Sequence, residues 1–308
     1  MSEVALDGVS RWFGNVVAVN DVTMHLGPGV TGLLGPNGAG KSTLIAMMAG
    51  FLAPSAGTVT LDGRTLHRDP EVYRDVGLVP EREEMYDALT GWDFVLANAR
   101  LHGLSDPEGA TRRAIATVEM ADAQDRDIRT YSKGMRQRIK MATAVVHDPT
   151  VLLLDEPFNG MDPRQRLHLM ELLHRLGDEG RTILFSSHIL EEVEEIASRV
   201  EVMVSGRHAA SGDFREIRRL MTQRPHQFTL RSSDDRALAS AVIAEPSTSG
   251  VQLLSDGRGS TAVHVAATDH AAFVHALPQV AARHRIRLFE VRPADESLES
   301  VFAYLVAR

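Results

Sequence analysis

The 308-residue chain contains no cysteine. That excludes disulfides and thiolate metal sites, and makes the reducing cytosol the simplest expected compartment. Long apolar runs are missing too: "VLLLDE" soon meets charge, far short of the roughly eighteen residues a membrane span requires. The opening "MSEVALDGVSRWFG" has neither the charged head nor the apolar centre of a secretion signal. Any membrane role is therefore expected to be played through a partner. Positive charge is in deficit, 33 Lys and Arg against 41 Asp and Glu, and a net charge of −8 argues against a general nucleic-acid binder. Internal repeats, low-complexity stretches and heptad runs are absent.

What is present is ordinary for a soluble globular protein, with 44% hydrophobic and 24% charged residues. The length suits a large domain plus a small one. Short strand candidates fill the first eighty residues: "NVVAVNDVTMHL", "VTGLL", "GTVTL" and "DVGLVPE". From about residue 85 to 146 the texture turns helical. Thr90 with Asp93 resembles a capping box, Gly103 suits a helix end, and Asp106–Pro107 suits a helix start. Strands return as "TVLLLDEP", "TILFSS" and "RVEVMVSG". This order predicts an α/β nucleotide-binding core over 1–220, with parallel central strands and a helical insertion.

Composition shifts after Leu220. "HQFTLRSS", "DDRALASAVIAE", "GVQLLSD", "STAVHVAA", "DHAAFVHALPQVAARH" and "IRLFEVRP" read in the order βαββαβ. A small ferredoxin-like α+β domain over 221–308 is expected, its central hairpin turning at "GRG". A last amphipathic helix carries Leu298, Val301, Phe302 and Leu305 at helical spacing, which suits docking onto a neighbouring surface.

Three motifs carry chemistry. "GPNGAGKS", Gly35 to Ser42, fits G-x-x-x-x-G-K-[ST] and lies between a strand and an apolar helix, the context a phosphate-binding loop requires. In such a loop the backbone of Gly35, Pro36, Asn37, Gly38, Ala39 and Gly40 curls around phosphate oxygens, with the helix dipole behind it. Lys41 would reach the β- and γ-phosphates, Ser42 would ligate Mg²⁺, and Thr43 would lie near the α-phosphate. "VLLLDEP" sets Asp155 and Glu156 at the carboxyl end of a buried strand, where α/β sheets bind ligands. Asp155 is a candidate Mg²⁺ ligand and Glu156 a candidate general base for attacking water. Alone, an acidic pair at a strand end is a solvated feature; the loop upstream gives it a purpose. "TILFSSH" puts His188 past a third apolar strand, as a structural histidine or as a γ-phosphate partner that orients water and Glu156. A fourth stretch, "TYSKGMRQRIK", gathers Ser132, Lys133 and Gly134 at the start of a basic amphipathic helix without local negative charge to match. It reads as a capped, solvated helix or as an anion site whose anion comes from elsewhere.

With these residues in order, the stretch from about Val4 to Leu220 resembles the ATP-binding subunits of ABC transporters. "GPNGAGKS", "GLVPE", "YSKGM", "LLLDEP" and "SSH" carry the resemblance jointly. It implies a P-loop ATPase that uses ATP and Mg²⁺. Two such subunits, here a homodimer, would close head to tail over two nucleotides. "YSKGM" stands where the family has LSGGQ, so Ser132 and the backbone at Gly134 would bind the γ-phosphate held by the opposite subunit. Lys133 replaces the first signature glycine and Met135 the glutamine. Glu81 stands where the family has a glutamine that contacts Mg²⁺ or water. Phe13 matches the adenine-stacking aromatic, with Trp12 as its alternative, and "NGMD", ending at Asp162, matches the loop through which subunits communicate. The glutamate, the "YSKGM" form and the "SLESVFAYL" tail resemble the drug-resistance export branch. That implies a separate permease chain and a place on the inner face of the cell membrane. The alternatives are a non-transport ABC ATPase acting on ribosomes or DNA, and a nucleotide-gated regulatory or self-resistance module.

Overall fold

The computed structural model describes residues 2–67, 69–82, 85–213, 225–255 and 261–293. The chain divides into two compact units, Met1–Phe214 and Arg215–Arg308.

The first unit is built on two sheets. One is antiparallel, in the order β2-β1-β4-β5, from β1 (Val4–Phe13), β2 (Val16–Leu26), β4 (Ala56–Leu61) and β5 (Arg64–Thr65). The other has six strands in the order β10-β9-β3-β8-β7-β6. Its members are β3 (Gly29–Leu34), β6 (Val76–Val79), β7 (Val151–Leu154), β8 (Thr182–Ser187), β9 (Arg199–Val204) and β10 (Arg207–Gly212). All neighbours in it are parallel except β10, which pairs antiparallel with β9 at the edge. The run Val-Leu-Leu-Leu of β7 is buried at every position because a parallel strand is covered on both faces. Between the sheets lies α1 (Lys41–Met48), whose Leu44, Ile45, Met47 and Met48 join Leu6, Val22, Leu153 and Leu184 in one apolar core. A helix apolar around its circumference has to be enclosed in this way.

The insertion holds α2 (Gly91–Leu101), α3 (Pro107–Thr117) and α4 (Lys133–Val145). The start of α2 differs from the reciprocal box expected there. The Thr90 hydroxyl accepts from the Asp93 amide at 3.0 Å but donates to the Asp93 carboxylate at 2.7 Å. Aspartate is one methylene shorter than the Glu of a capping box, and it takes the hydroxyl rather than the Thr90 amide. The far end closes as a Schellman turn, Gly103 N–H to Arg100 C=O and Leu104 N–H to Ala99 C=O, with Gly103 at φ +68°. Asp106 caps α3, and Pro107 fills its first position, where no amide is needed. Just beyond the ends of α2 and α4 the rings of His102 and His147 stack, 3.8 Å between centroids. Burial, with the charge of His102 behind it, pushes His147 down from the ordinary 6.5 to about 4.

The helices α5 (Pro163–Asp178) and α6 (Leu190–Ile196) pack against β3 and β8.

The second unit follows the order β11 (His226–Ser232), α7 (Asp235–Val242), β12 (Thr248–Ser255), β13 (Thr261–Ala267), α8 (His270–Arg283), β14 (Leu288–Pro293). Its sheet runs β12-β13-β11-β14, every pair antiparallel, so each β-α-β crossover skips one strand. That is the ferredoxin-like arrangement. Alternating Phe228 and Leu230, with Val263, Val265 and Ala267, meet Leu238, Val242, Phe273 and Leu277 of the helices in a separate core. The expected hairpin turn and the terminal helix with Leu298 to Leu305 lie outside the described residues.

Candidate functional site: a phosphate loop backed by a braced carboxylate

The loop from Gly35 to Gly40 leaves β3 and enters α1 through a left-handed residue. Gly40 is the N-cap at φ +98°, and a Cβ there would lie 2.4 Å from the Ala18 carbonyl oxygen. No other residue accepts both that dihedral and that contact. The turn aims the first amides of α1, which have no acceptor inside the helix, at the space in front of the loop.

Lys41 is 5% exposed. Its ammonium donates to the carbonyls of Gly35 at 2.7 Å and Pro36 at 3.3 Å and lies 3.3 Å from Glu156 Oε1. A cleft of about 360 Å³ opens over the loop. Asn37 through Thr43, Glu81 and Glu156 line its polar part, and Val16, Val17 and Ala18 of β2 its apolar wall.

Asp155 and Glu156 follow β7 directly. Ser186, at the end of β8, ties them together: its hydroxyl donates to Asp155 Oδ1 at 2.7 Å and accepts from the Glu156 amide at 2.8 Å. Glu156 takes φ +48°, a left-handed backbone that a glutamate adopts only when its surroundings hold it there. Its Oε2 meets His188 Nδ1 at 3.0 Å. Its Oε1 is buried and has no hydrogen-bond donor, only the ion pair to Lys41. A carboxylate with one oxygen held by a histidine and the other left without a hydrogen-bond donor can accept a proton from a water that reaches it.

Among the described residues no three His, Cys, Asp or Glu side chains come together as a metal cluster. Mg²⁺ takes one or two carboxylates and completes its shell with substrate phosphates and water. Ser42, Asp155 and Glu81 are oxygen donors of this kind, and Ser42 and Glu81 line the cleft.

The remaining expected residues lie apart from this cluster. Ser132 caps α4, its hydroxyl accepting from the Met135 amide at 3.2 Å. Ser132 and Lys133 are exposed, Met135 is half-buried, and buried Gly134 has Gln165 so close that a Cβ would collide with it. Asp162 caps α5, accepting from the Gln165 amide at 2.9 Å. Phe13 and Trp12 are both nearly half exposed on β1, and the Arg11 guanidinium covers the Phe13 ring at 4.7 Å. Neither aromatic lines the cleft; Val16, which pairs with Phe13 across the hairpin, does.

Motif reading missed Ser186, Ser187, Arg166 and Glu192. The Ser187 hydroxyl donates to Glu192 Oε2 at 2.6 Å, and Arg166 pairs with Glu192 Oε1 at 3.2 Å. Burial raises the Glu192 carboxyl above its ordinary range; the Ser187 bond and Arg166 pull against that, and the negative charge of Glu156 adds to it. The signal available was the serine pair before His188, two hydroxyls at the tip of an otherwise apolar strand.

Fold and site together define a P-loop protein that binds a nucleoside triphosphate at the carboxyl end of a parallel sheet. Residues 19–159 match the family model described as ABC transporter. An uncharacterised ABC transporter ATP-binding protein of Nostoc sp. is 39% identical over 66% of this chain, a match that spans 62% of the relative's length. The daunorubicin/doxorubicin resistance ATP-binding protein DrrA of Streptomyces peucetius is 31% identical over 98% of this chain and 92% of its own length. A solved ATP-binding subunit of an ABC transporter superposes with a TM-score of 0.64 at 29% identity, covering 70% of this chain and 92% of that one. The chain belongs to the ATP-binding proteins of ABC transporters, and its nucleotide-binding unit is that of an ABC-type ATPase.

Proposed function

We propose that this chain is the ATP-hydrolysing subunit of an exporter, working as a homodimer with Mg²⁺ and driving a separate membrane permease. The observation that carries the hydrolytic half is Glu156 at the cleft, held by His188 through one oxygen, with the other left without a hydrogen-bond donor beside Lys41. On this reading Lys41 and the first amides of α1 hold the phosphates, and Ser42 and Asp155, with Glu81 beside them, hold the metal. Mg²⁺ supplies positive charge that neutralises the phosphate oxygens. Glu156 takes the proton of the attacking water, and His188 fixes the direction of its carboxylate.

Export is supported by the resistance relative, whose alignment runs through both units of the chain. Among the described residues no helix is long and apolar enough to cross a membrane. The proposal gives the translocation path to a separate permease. The subunit then sits on the inner face of the cell membrane through that permease. Pairing is supported by the start of α4, where Ser132 caps a helix with exposed Lys133 beside it; contrary to the expectation of no local counter-charge, Arg136 of the same turn is matched within the chain by Asp87 at 2.9 Å. A γ-phosphate presented by a second copy completes that charge arrangement.

The decisive experiment is Glu156→Gln. Steady-state hydrolysis should fall by about a hundredfold or more, while ATP binding survives and a nucleotide-bound dimer accumulates in size-exclusion chromatography. Undiminished turnover would remove Glu156 from the role of base.

A further inference from the structure

The strand β8 ends in two serines and is followed by His188, and each of the three is bound to a different carboxylate. Ser186 donates to Asp155, Ser187 to Glu192, and His188 meets Glu156. The middle contact has no part in the chemistry proposed above, yet its carboxylate is 5% exposed. The Ser187 hydroxyl also accepts from the Ile189 amide at 2.9 Å, so Glu192 grips the turn that presents His188. From its other oxygen the contact continues to Arg166, 3.2 Å away in the first turn of α5. The Arg166 amide bonds in turn to the carbonyl of Asp162, the cap of that helix, at 3.0 Å. A continuous path of contacts therefore runs from the start of α5 to the side chain that holds Glu156.

Stability is a poor reason for this pair. Glu192 is buried but the Arg166 side chain stays 35% exposed, and an ion pair with one partner in water adds little stability, so the pair is better explained by the geometry it imposes. Here that geometry is the placement of a histidine beside a reacting carboxylate, where small displacements have large kinetic effects.

We propose that Arg166 and Glu192 form a positioning relay: they set His188 against Glu156 and tie that setting to the N-terminal turn of α5. The inference rests on the hydrolytic reading above. Both are positioning residues, since they act through Ser187 and His188. Because α5 starts at Asp162, a partner subunit that engages this loop would adjust the base through the relay.

The test uses the full chain with Arg166→Ala, Arg166→Lys, Glu192→Gln and the double variant Arg166→Ala/Glu192→Gln. Arg166→Ala and Glu192→Gln should each lower kcat by about tenfold or more. ATP affinity should stay within about twofold of wild type and the double variant should be no worse than the poorer single one, as for residues acting as a unit. Arg166→Lys should restore most of the rate. The imidazole ¹⁵N resonances of His188 should move in both single variants, which a role confined to packing would not require. Wild-type kcat with unmoved His188 resonances would overturn the relay. So would a loss of rate that follows a matching drop in Tm and is not rescued by lysine. If the wild-type chain hydrolyses nothing, the function proposed above falls instead. The relay then stands or falls on whether the His188 resonances move.

Discussion

The two lysine-bearing helix starts of this molecule, at α1 and α4, are finished to different degrees. At α1 everything is braced from within the chain: Lys41 and Asp155 are at most 6% exposed, and Ser186, His188 and the loop carbonyls hold their partners in place. At α4 the exposed Ser132 has only the local cap bond to Met135, and exposed Lys133 stands beside it. The first is a preorganised pocket; the second is an exposed cap. On the proposed reading the chain binds a nucleotide unaided and a second copy encloses it.

The most severe way to break this contrast is at the finished end. Lys41→Ala should weaken ATP binding by about a hundredfold or more, since it removes a charge-assisted phosphate contact from a dry site. Equilibrium binding to the isolated chain measures it, and unchanged affinity would mean that the loop is not the phosphate site. At the unfinished end Ser132→Arg should abolish ATP-driven dimerisation and leave monomer affinity within about twofold, because on the proposed reading the cap meets a nucleotide held by the other copy. Light scattering with and without ATP reads the first quantity and titration of the monomer the second. Parallel loss of both would erase the distinction between the two ends.

A smaller effect concerns the insertion that carries α4. His147 titrates near 4 in the folded protein and near 6.5 when unfolded. Its folded value is the lower one, so acid favours the unfolded chain: stability is undisturbed above about 6.5 and falls as pH drops from there towards about 4. His147→Gln should flatten that part of the urea-midpoint profile. An unaltered slope would mean that the stacked histidines do not set it.

Much of this arrangement was legible before the structure. The phosphate loop announces itself because glycine, lysine and serine at fixed spacing between a strand and a helix have few other uses. The ferredoxin-like sheet order follows from alternating strands and two crossover helices, since right-handed connections leave few alternatives. Contacts were harder to read. Asp155 and Glu156 are visible as letters, but Ser186, which joins them, lies about thirty residues away on a neighbouring strand, a proximity only parallel pairing creates. Arg166 and Glu192 are charged residues on helices, where such residues normally face water, and nothing local marks Glu192 as buried or the two as paired. At the hairpin the motif points to Phe13, while Val16, its partner across the turn, is the residue that lines the cleft.

The left-handed backbone at Glu156 has a consequence for anyone who evolves this protein in the laboratory. A φ of +48° favours glycine or asparagine by about 1 kcal/mol over a longer side chain. Selection for heat resistance alone would therefore drift away from glutamate at this position, and selection for turnover would drift back. The residue at 156 in any surviving clone would record which of the two pressures the library had felt.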